Sequence, residues 1–129
     1  MKKIFLMILS IMFAVLSCKT ATAPIDSKRT GTYVSTKPVN GSSYITVELT
    51  NDGGFKLYYS NDKGGIVSDG KENIVTGNDM RGEDPNYNFQ TGVMGGSLQF
   101  LSDTALQITV TFNRENSYPI KDVLCYKKN

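Results

Sequence analysis

Two thiols, twelve carboxylates and not one imidazole are the side chains with which this 129-residue chain could do chemistry. Without His, neither a Ser-His-Asp nor a Cys-His arrangement can activate a nucleophile, and the commonest transition-metal ligand is missing as well. What remains is oxygen chemistry. Asp52, Asp62, Asp69, Asp79, Glu83 and Asp84 sit near Gly or Asn, in the kind of loop that supplies ligands to hard cations such as Ca²⁺. None has EF-hand spacing, and acids in turns ordinarily cap the local backbone, so neither a metal nor a cofactor is expected. Paired carboxylates would suit glycoside hydrolysis, which needs two acids about 5 to 9 Å apart. Twelve acids scattered along the chain bring some pair into that range by chance. The pattern carries no catalytic specificity, and the expectation is that the chain is not an enzyme.

The two thiols are Cys18 and Cys125. In an oxidising compartment they could pair, closing nearly the whole chain into one loop, a constraint worth about 4.7 kcal/mol on loop-closure entropy. The surroundings of Cys18 point elsewhere. Lys2-Lys3 is a basic start, and Ile4 to Leu16 is an apolar run of thirteen residues broken only by Ser10. That is the length of an export-signal core and falls short of the about 20 residues a transmembrane helix needs. An Ala21-Thr22-Ala23 site would allow ordinary signal cleavage, but Pro24 directly follows it.

Val15-Leu16-Ser17-Cys18 resembles the lipobox of bacterial lipoproteins. The resemblance implies that residues 1–17 are a signal peptide, that the Cys18 sulfur receives diacylglycerol, and that cleavage falls between Ser17 and Cys18. It also implies that the protein is exported to the bacterial cell envelope and held to the membrane by lipid. The outer membrane is the expected location, because Lys19 is not an acidic inner-membrane retention residue. Lipid on Cys18 excludes the disulfide, leaving Cys125 as a small hydrophobe in the core of the last strand.

Lys2 and Lys3 belong to the signal, and the remaining residues carry twelve basic against twelve acidic side chains. A balanced, interspersed surface gives no electrostatic reason for nucleic acid or an anionic membrane surface as partner. The lipid needs no such patch, since buried acyl chains contribute about 0.8 kcal/mol per methylene. Residues 18–28 are polar and small without any period, as in a flexible tether, and residues 29–129 are expected to form one domain.

The elements of that domain read as strands divided by turn chemistry, with no helical apolar period. Thr32 to Lys37 is a β segment closed by Pro38-Val39-Asn40-Gly41. Tyr44 to Thr50 alternates, with Ile45, Val47 and Leu49 on one face, and Asn51-Asp52-Gly53-Gly54 is a hairpin signal. Phe55, Leu57 and Tyr59 should then face inward on the return strand. Ile66-Val67, Asn73 to Thr76 and Tyr87 to Thr91 are short candidates, Gly77 to Asn86 a polar loop, and Gly95-Gly96 a turn before Ser97 to Leu101. Leu106, Ile108, Val110 and Phe112 alternate with polar residues, and Ile120 to Lys127 is a closing strand. Tyr44, Tyr58 and Tyr87 fall on the outward side of this alternation. Seven or eight strands with hairpin-length turns predict an all-β antiparallel meander barrel, with a β-sandwich as the alternative.

The Gly31-Thr32-Tyr33 opening, the meander and the final Tyr126-Lys127-Lys128 resemble the small lipocalin-like barrels found behind many bacterial lipoprotein signals. Tyr33 stands where the lipocalin opening motif has Trp, and the resemblance implies a fold but no binding residues. Two functions follow as expectations. One is a non-catalytic barrel that takes a small apolar ligand in a lumen lined by Phe55, Leu57, Leu106 and Ile108. The other is a protein-interaction or inhibitor module with a solid barrel, contacting an envelope protein through loops at Pro38 to Ser43 and Gly77 to Asn88.

Overall fold

The computed structural model describes residues 25–67, 71–113 and 120–129. The signal peptide, Cys18, most of the tether, and Asp69 lie outside the described residues. Nine strands follow in chain order: β1 (Gly31–Ser35), β2 (Tyr44–Leu49), β3 (Phe55–Ser60), β4 (Asn73–Val75), β5 (Met80–Glu83), β6 (Asn86–Gln90), β7 (Met94–Ser102), β8 (Ala105–Phe112) and β9 (Ile120–Lys127). They form one antiparallel sheet in the order β4-β3-β2-β1-β9-β8-β7-β6-β5, curled into a nearly closed barrel. The barrel, not the sandwich, is the architecture.

Every sheet neighbour is also a chain neighbour except β1 and β9, whose pairing joins the two halves of the meander. Because each ladder is antiparallel, alternating direction around the sheet makes β4 and β5 run the same way. They are one long stave, broken by a 3-10 turn at Gly77–Asp79, whose first part pairs with β3 and whose second part pairs with β6. Nine strands thus occupy eight staves. The break is fixed by backbone contact: a Cβ on Gly77 would run into the Asp52 carbonyl, and one on Gly54 into the Val75 carbonyl. Only glycine lets the β2–β3 turn and the broken stave come this close.

The β2–β3 hairpin forms in the expected register, Leu49 opposite Phe55 and Val47 opposite Leu57. Its turn is held by Thr50 N–H donating to the Gly54 carbonyl and Gly54 N–H donating to Asp52 Oδ1, both 3.0 Å. Three sequence expectations change. Gly77 to Asn86 is not a loop, since Met80–Glu83 is a strand: its one apolar residue, Met80, is buried, and the ladder to β6 supplies the rest. Ile66-Val67 makes only an isolated bridge, Ile66 to Ser60. Gly95 and Gly96 lie inside β7, where a Cβ on Gly96 would run into the Thr109 carbonyl and approach the Phe89 ring to 2.9 Å. The turn falls earlier, at Thr91, whose hydroxyl accepts from the N–H groups of Val93 and Met94 at 3.2 and 3.1 Å.

Inward side chains from all nine strands meet in one cluster. Phe55, Leu57, Leu106 and Ile108 are each at most 1% exposed. Phe55 meets Phe89 edge to face at 5.0 Å, and Tyr87 meets Phe100 at 6.1 Å, the geometry that the ring quadrupoles favour. Cys125 is fully buried in the same cluster with a free thiol, and burial pushes its pKa from the usual 9.0 up to about 12.

Candidate functional site

The two ends of the barrel differ. Where the chain enters β1, Ile25 is buried in the core cluster and Asp26 caps a 3-10 turn at Ser27–Arg29, accepting from Lys28 N–H at 3.0 Å. The tether suggested by composition therefore does not extend through Ile25 to Lys28 as free chain: this stretch is docked, because one aliphatic side chain among polar neighbours finds a place in the core. The Arg29 guanidinium stacks 4.6 Å over the Phe100 ring, with Nη1 2.6 Å from Asp84 and Nε 3.4 Å from Asp103. The Nη1 approach is a charge contact without hydrogen-bond alignment. The Tyr33 hydroxyl lies 2.8 Å from the Arg29 carbonyl and 3.0 Å from the Asp103 carbonyl, donating its single proton to one at a time. Burial raises the Tyr33 pKa, opposed by the nearby Arg29 charge. Lys127 Nζ completes this closed end by donating to the Lys28 carbonyl at 2.9 Å.

The acids singled out in the sequence are thereby dispersed. Asp84 belongs to Arg29, Asp79 accepts from Thr76 N–H and hydroxyl at 3.0 Å, and Asp52 is bonded within its own turn. The Thr50 hydroxyl, and after it Gly54 N–H, hold the Asp52 carboxyl below its usual range. Among the described residues no three such side chains come together as a metal site.

The outward tyrosines are also redistributed. Tyr87 points into the core, because Asn86, Asn88 and Gln90 take the outer face of β6. Tyr58 does face out of the barrel but is covered by the turn after β3, its hydroxyl donating between Glu48 at 2.8 Å and the Gly64 carbonyl at 3.2 Å. Burial, followed by the Glu48 carboxylate, pushes its pKa up to about 12. Beside it, Thr46 donates to Ser60 at 2.7 Å, both fully buried beneath the same turn. Tyr44 is half-buried.

Among the described residues, two concavities each take in one of the loops singled out in the sequence. A groove of about 440 Å³ lies over β5 to β7, with Asn78, Arg81, Asn88 and Gln90 around Phe89. A wedge of about 550 Å³ separates Thr36–Val39 from Ile120–Leu124. The two loops are not brought together. Pro38 to Ser43 joins β1 to β2 at the end away from Arg29, whereas the β5–β6 turn holds Asp84 against Arg29.

The wedge exists because the β1–β9 ladder stops early. It runs through Ser35 opposite Cys125, and Thr36 N–H still donates to the Leu124 carbonyl at 3.1 Å. The next pair to exchange hydrogen bonds would be Pro38 and Asp122. Pro38 has no N–H to give, and Asp122 takes a φ of 49° at the bulge opposite Thr109, to which its own N–H donates at 3.0 Å. Val39 and Val123 pack against the core at the floor, and Lys37 and Lys121 are exposed on the rim. Neither the sequence motifs nor the periodicity exposes this feature, since it depends on a register between residues more than eighty positions apart.

Comparison with family models, with curated proteins and with solved structures finds no match to this chain.

Proposed function

We propose that this protein is an exported bacterial lipoprotein, anchored to the membrane through lipid on Cys18, and that it serves as a non-catalytic module binding another component of the cell envelope from its outer surface. The observation that carries the choice is the filled interior. Phe55, Leu57, Leu106 and Ile108, the residues that would have to line a lumen, are each at most 1% exposed and packed in one cluster. Eight staves suffice to make either a filled barrel or a small ligand cup, and the inward side chains favour the filled one. The resemblance to small lipocalin-like barrels supports the fold behind this reading and adds no ligand to it.

The anchor and the docked N-terminal stretch support a definite placement. Six residues lie between Cys18 and Ile25, so the two can stand roughly 25 Å apart when the chain is extended. The Arg29 end would face the bilayer, and the wedge end would project away from it. The test has two parts. Intact mass of the native protein should show a diacylated or triacylated Cys18 as the first residue, whereas a Pro24 N-terminus would remove the anchor. Affinity capture from detergent-solubilised envelope should then yield a stoichiometric protein partner. Recovery of bound lipid alone would return the function to the small-ligand reading.

A further inference from the structure

We infer that the Arg29 end of the barrel rests on the bilayer that holds the anchor, with Leu101 and Tyr126 seated at the level of the lipid headgroups. The inference rests on the anchored reading above and adds a contact surface to it.

The first ground is where the chain enters the fold. Ile25 is 6% exposed in the core cluster, and the stretch from there to β1 is tied down: Asp26 caps the 3-10 turn, Arg29 lies over Phe100, and Lys127 Nζ holds the Lys28 carbonyl at 2.9 Å. With six residues between Cys18 and Ile25, the point of entry stands no more than roughly 25 Å from the acylated sulfur. Tethering at this range gives an effective concentration on the order of millimolar at the lipid surface. A contact too weak to recruit the protein alone is then populated.

The second ground is what this end exposes. The β7–β8 hairpin turns at Asp103-Thr104 beside Arg29, with Leu101 at the bulge before the turn and Tyr126 of β9 paired with Ala105 just after it. Leu101 is 53% exposed and Tyr126 51%, whereas Ala105 is 7% exposed. Tyr126 faces out of the barrel because its neighbour Cys125 faces in. A tyrosine ring with its polar tip suits the boundary between headgroups and acyl chains, and an adjacent leucine adds apolar area that only the lipid side can cover.

The third ground is charge, which selects the kind of contact. Lys28, Arg29, Lys127 and Lys128 share this end with Asp26, Glu83, Asp84 and Asp103, and Arg29 is already engaged by Asp84 and Asp103. No positive excess draws anionic headgroups, so the contact is apolar, needs no anionic lipid and withstands salt.

The test exploits the absence of Trp from the chain, since one introduced Trp reports its own surroundings. Full-length acylated protein carrying Leu101→Trp, Tyr126→Trp or Val93→Trp is reconstituted into vesicles of phosphatidylcholine with brominated acyl chains, which quench Trp on contact. Val93 is 42% exposed in the β6–β7 turn, at the opposite end of the barrel, and serves as the control. Fluorescence at 101 and 126 should fall about twofold or more against unbrominated vesicles as the rings enter the apolar boundary, equally at high salt, while that at 93 stays constant. In the unsubstituted protein, a spin-labelled lipid in nanodiscs should broaden the amide resonances of Leu101 and Tyr126 and spare Val93. Absence of quenching at 101 and 126, equal quenching at 93, quenching abolished by salt, or broadening confined to Val93 would each overturn the proposal. Intact mass separates its failure from that of the anchor: an acylated Cys18 without quenching refutes the seating alone, whereas an unacylated chain that leaves the vesicles refutes the anchored reading itself.

Discussion

At the scale of the residue, burial decides the chemistry. Burial disfavours the Cys125 thiolate, and its folded pKa of about 12 against the usual 9.0 means that the folded state holds its proton longer than the unfolded chain. The stability linked to that proton is therefore complete below pH 9 and is lost as pH rises toward 12, and Tyr58, raised from 10.0 to about 12, adds in the same direction. Urea midpoints should fall between pH 9 and 12, and Cys125→Ala should flatten part of that fall. A thiol reagent at pH 8 should leave Cys125 unmodified until the protein is unfolded; rapid labelling of the native state would contradict the buried placement. Arg29 makes a different case. Its side chain is 15% exposed, but Asp84 and Asp103 are 45% and 59% exposed, so solvent and salt screen both contacts. Arg29→Ala should cost about 1 to 2 kcal/mol, including the stacking on Phe100, and part of that cost should vanish in high salt. The readout specific to its place is proteolysis: cleavage at Lys28 should become rapid while the barrel stays folded.

At the scale of the element, what could be read from the residues and what could not separate along one line, local against long-range. The hairpin of β2 and β3 was legible because Ile45, Val47 and Leu49 alternate and Asn51-Asp52-Gly53-Gly54 has the chemistry of its turn; β8 was legible for the same reason. β5 was not, because Met80 is its only apolar residue and its pairing with β6 makes it a strand. Gly95-Gly96 carries the composition of a turn, yet Gly96 is there to admit the Phe89 ring and the Thr109 carbonyl, and Gly95 lies against the Gln90 side chain. Gly96→Ala should accordingly destabilise by about 1 to 3 kcal/mol, the range for forcing extra volume into a packed place, as measured by urea unfolding; a neutral result would mean that β6 and β8 can part without cost. The candidate site follows the same division. Pro38 and the loop after it are visible in the sequence, but the wedge needs the β1–β9 register and the bulge at Asp122, neither of which any local pattern encodes.

At the scale of the whole molecule, the filled barrel is a claim about volume. If the interior is solid, Leu106→Ala and Phe55→Ala should each cost about 2 to 5 kcal/mol through lost burial and the cavity left behind, measured by chemical denaturation. A hollow interior would soften both losses, and would take up an apolar dye in the native state. The fold carries a further consequence at this scale. Strands β1 to β4 and β5 to β9 are two sub-sheets, joined by the broken stave on one side and, on the other, by three paired positions, Tyr33 to Ser35 with Cys125 to Lys127, extended by the Thr36 N–H to Leu124 carbonyl and Lys128 N–H to Thr32 carbonyl bonds. Such a hoop is held shut by this short ladder between its halves, so its cooperativity should be limited there: amide exchange ought to distinguish the two sub-sheets as separate opening units, and at high concentration one copy's sub-sheet could complete another's.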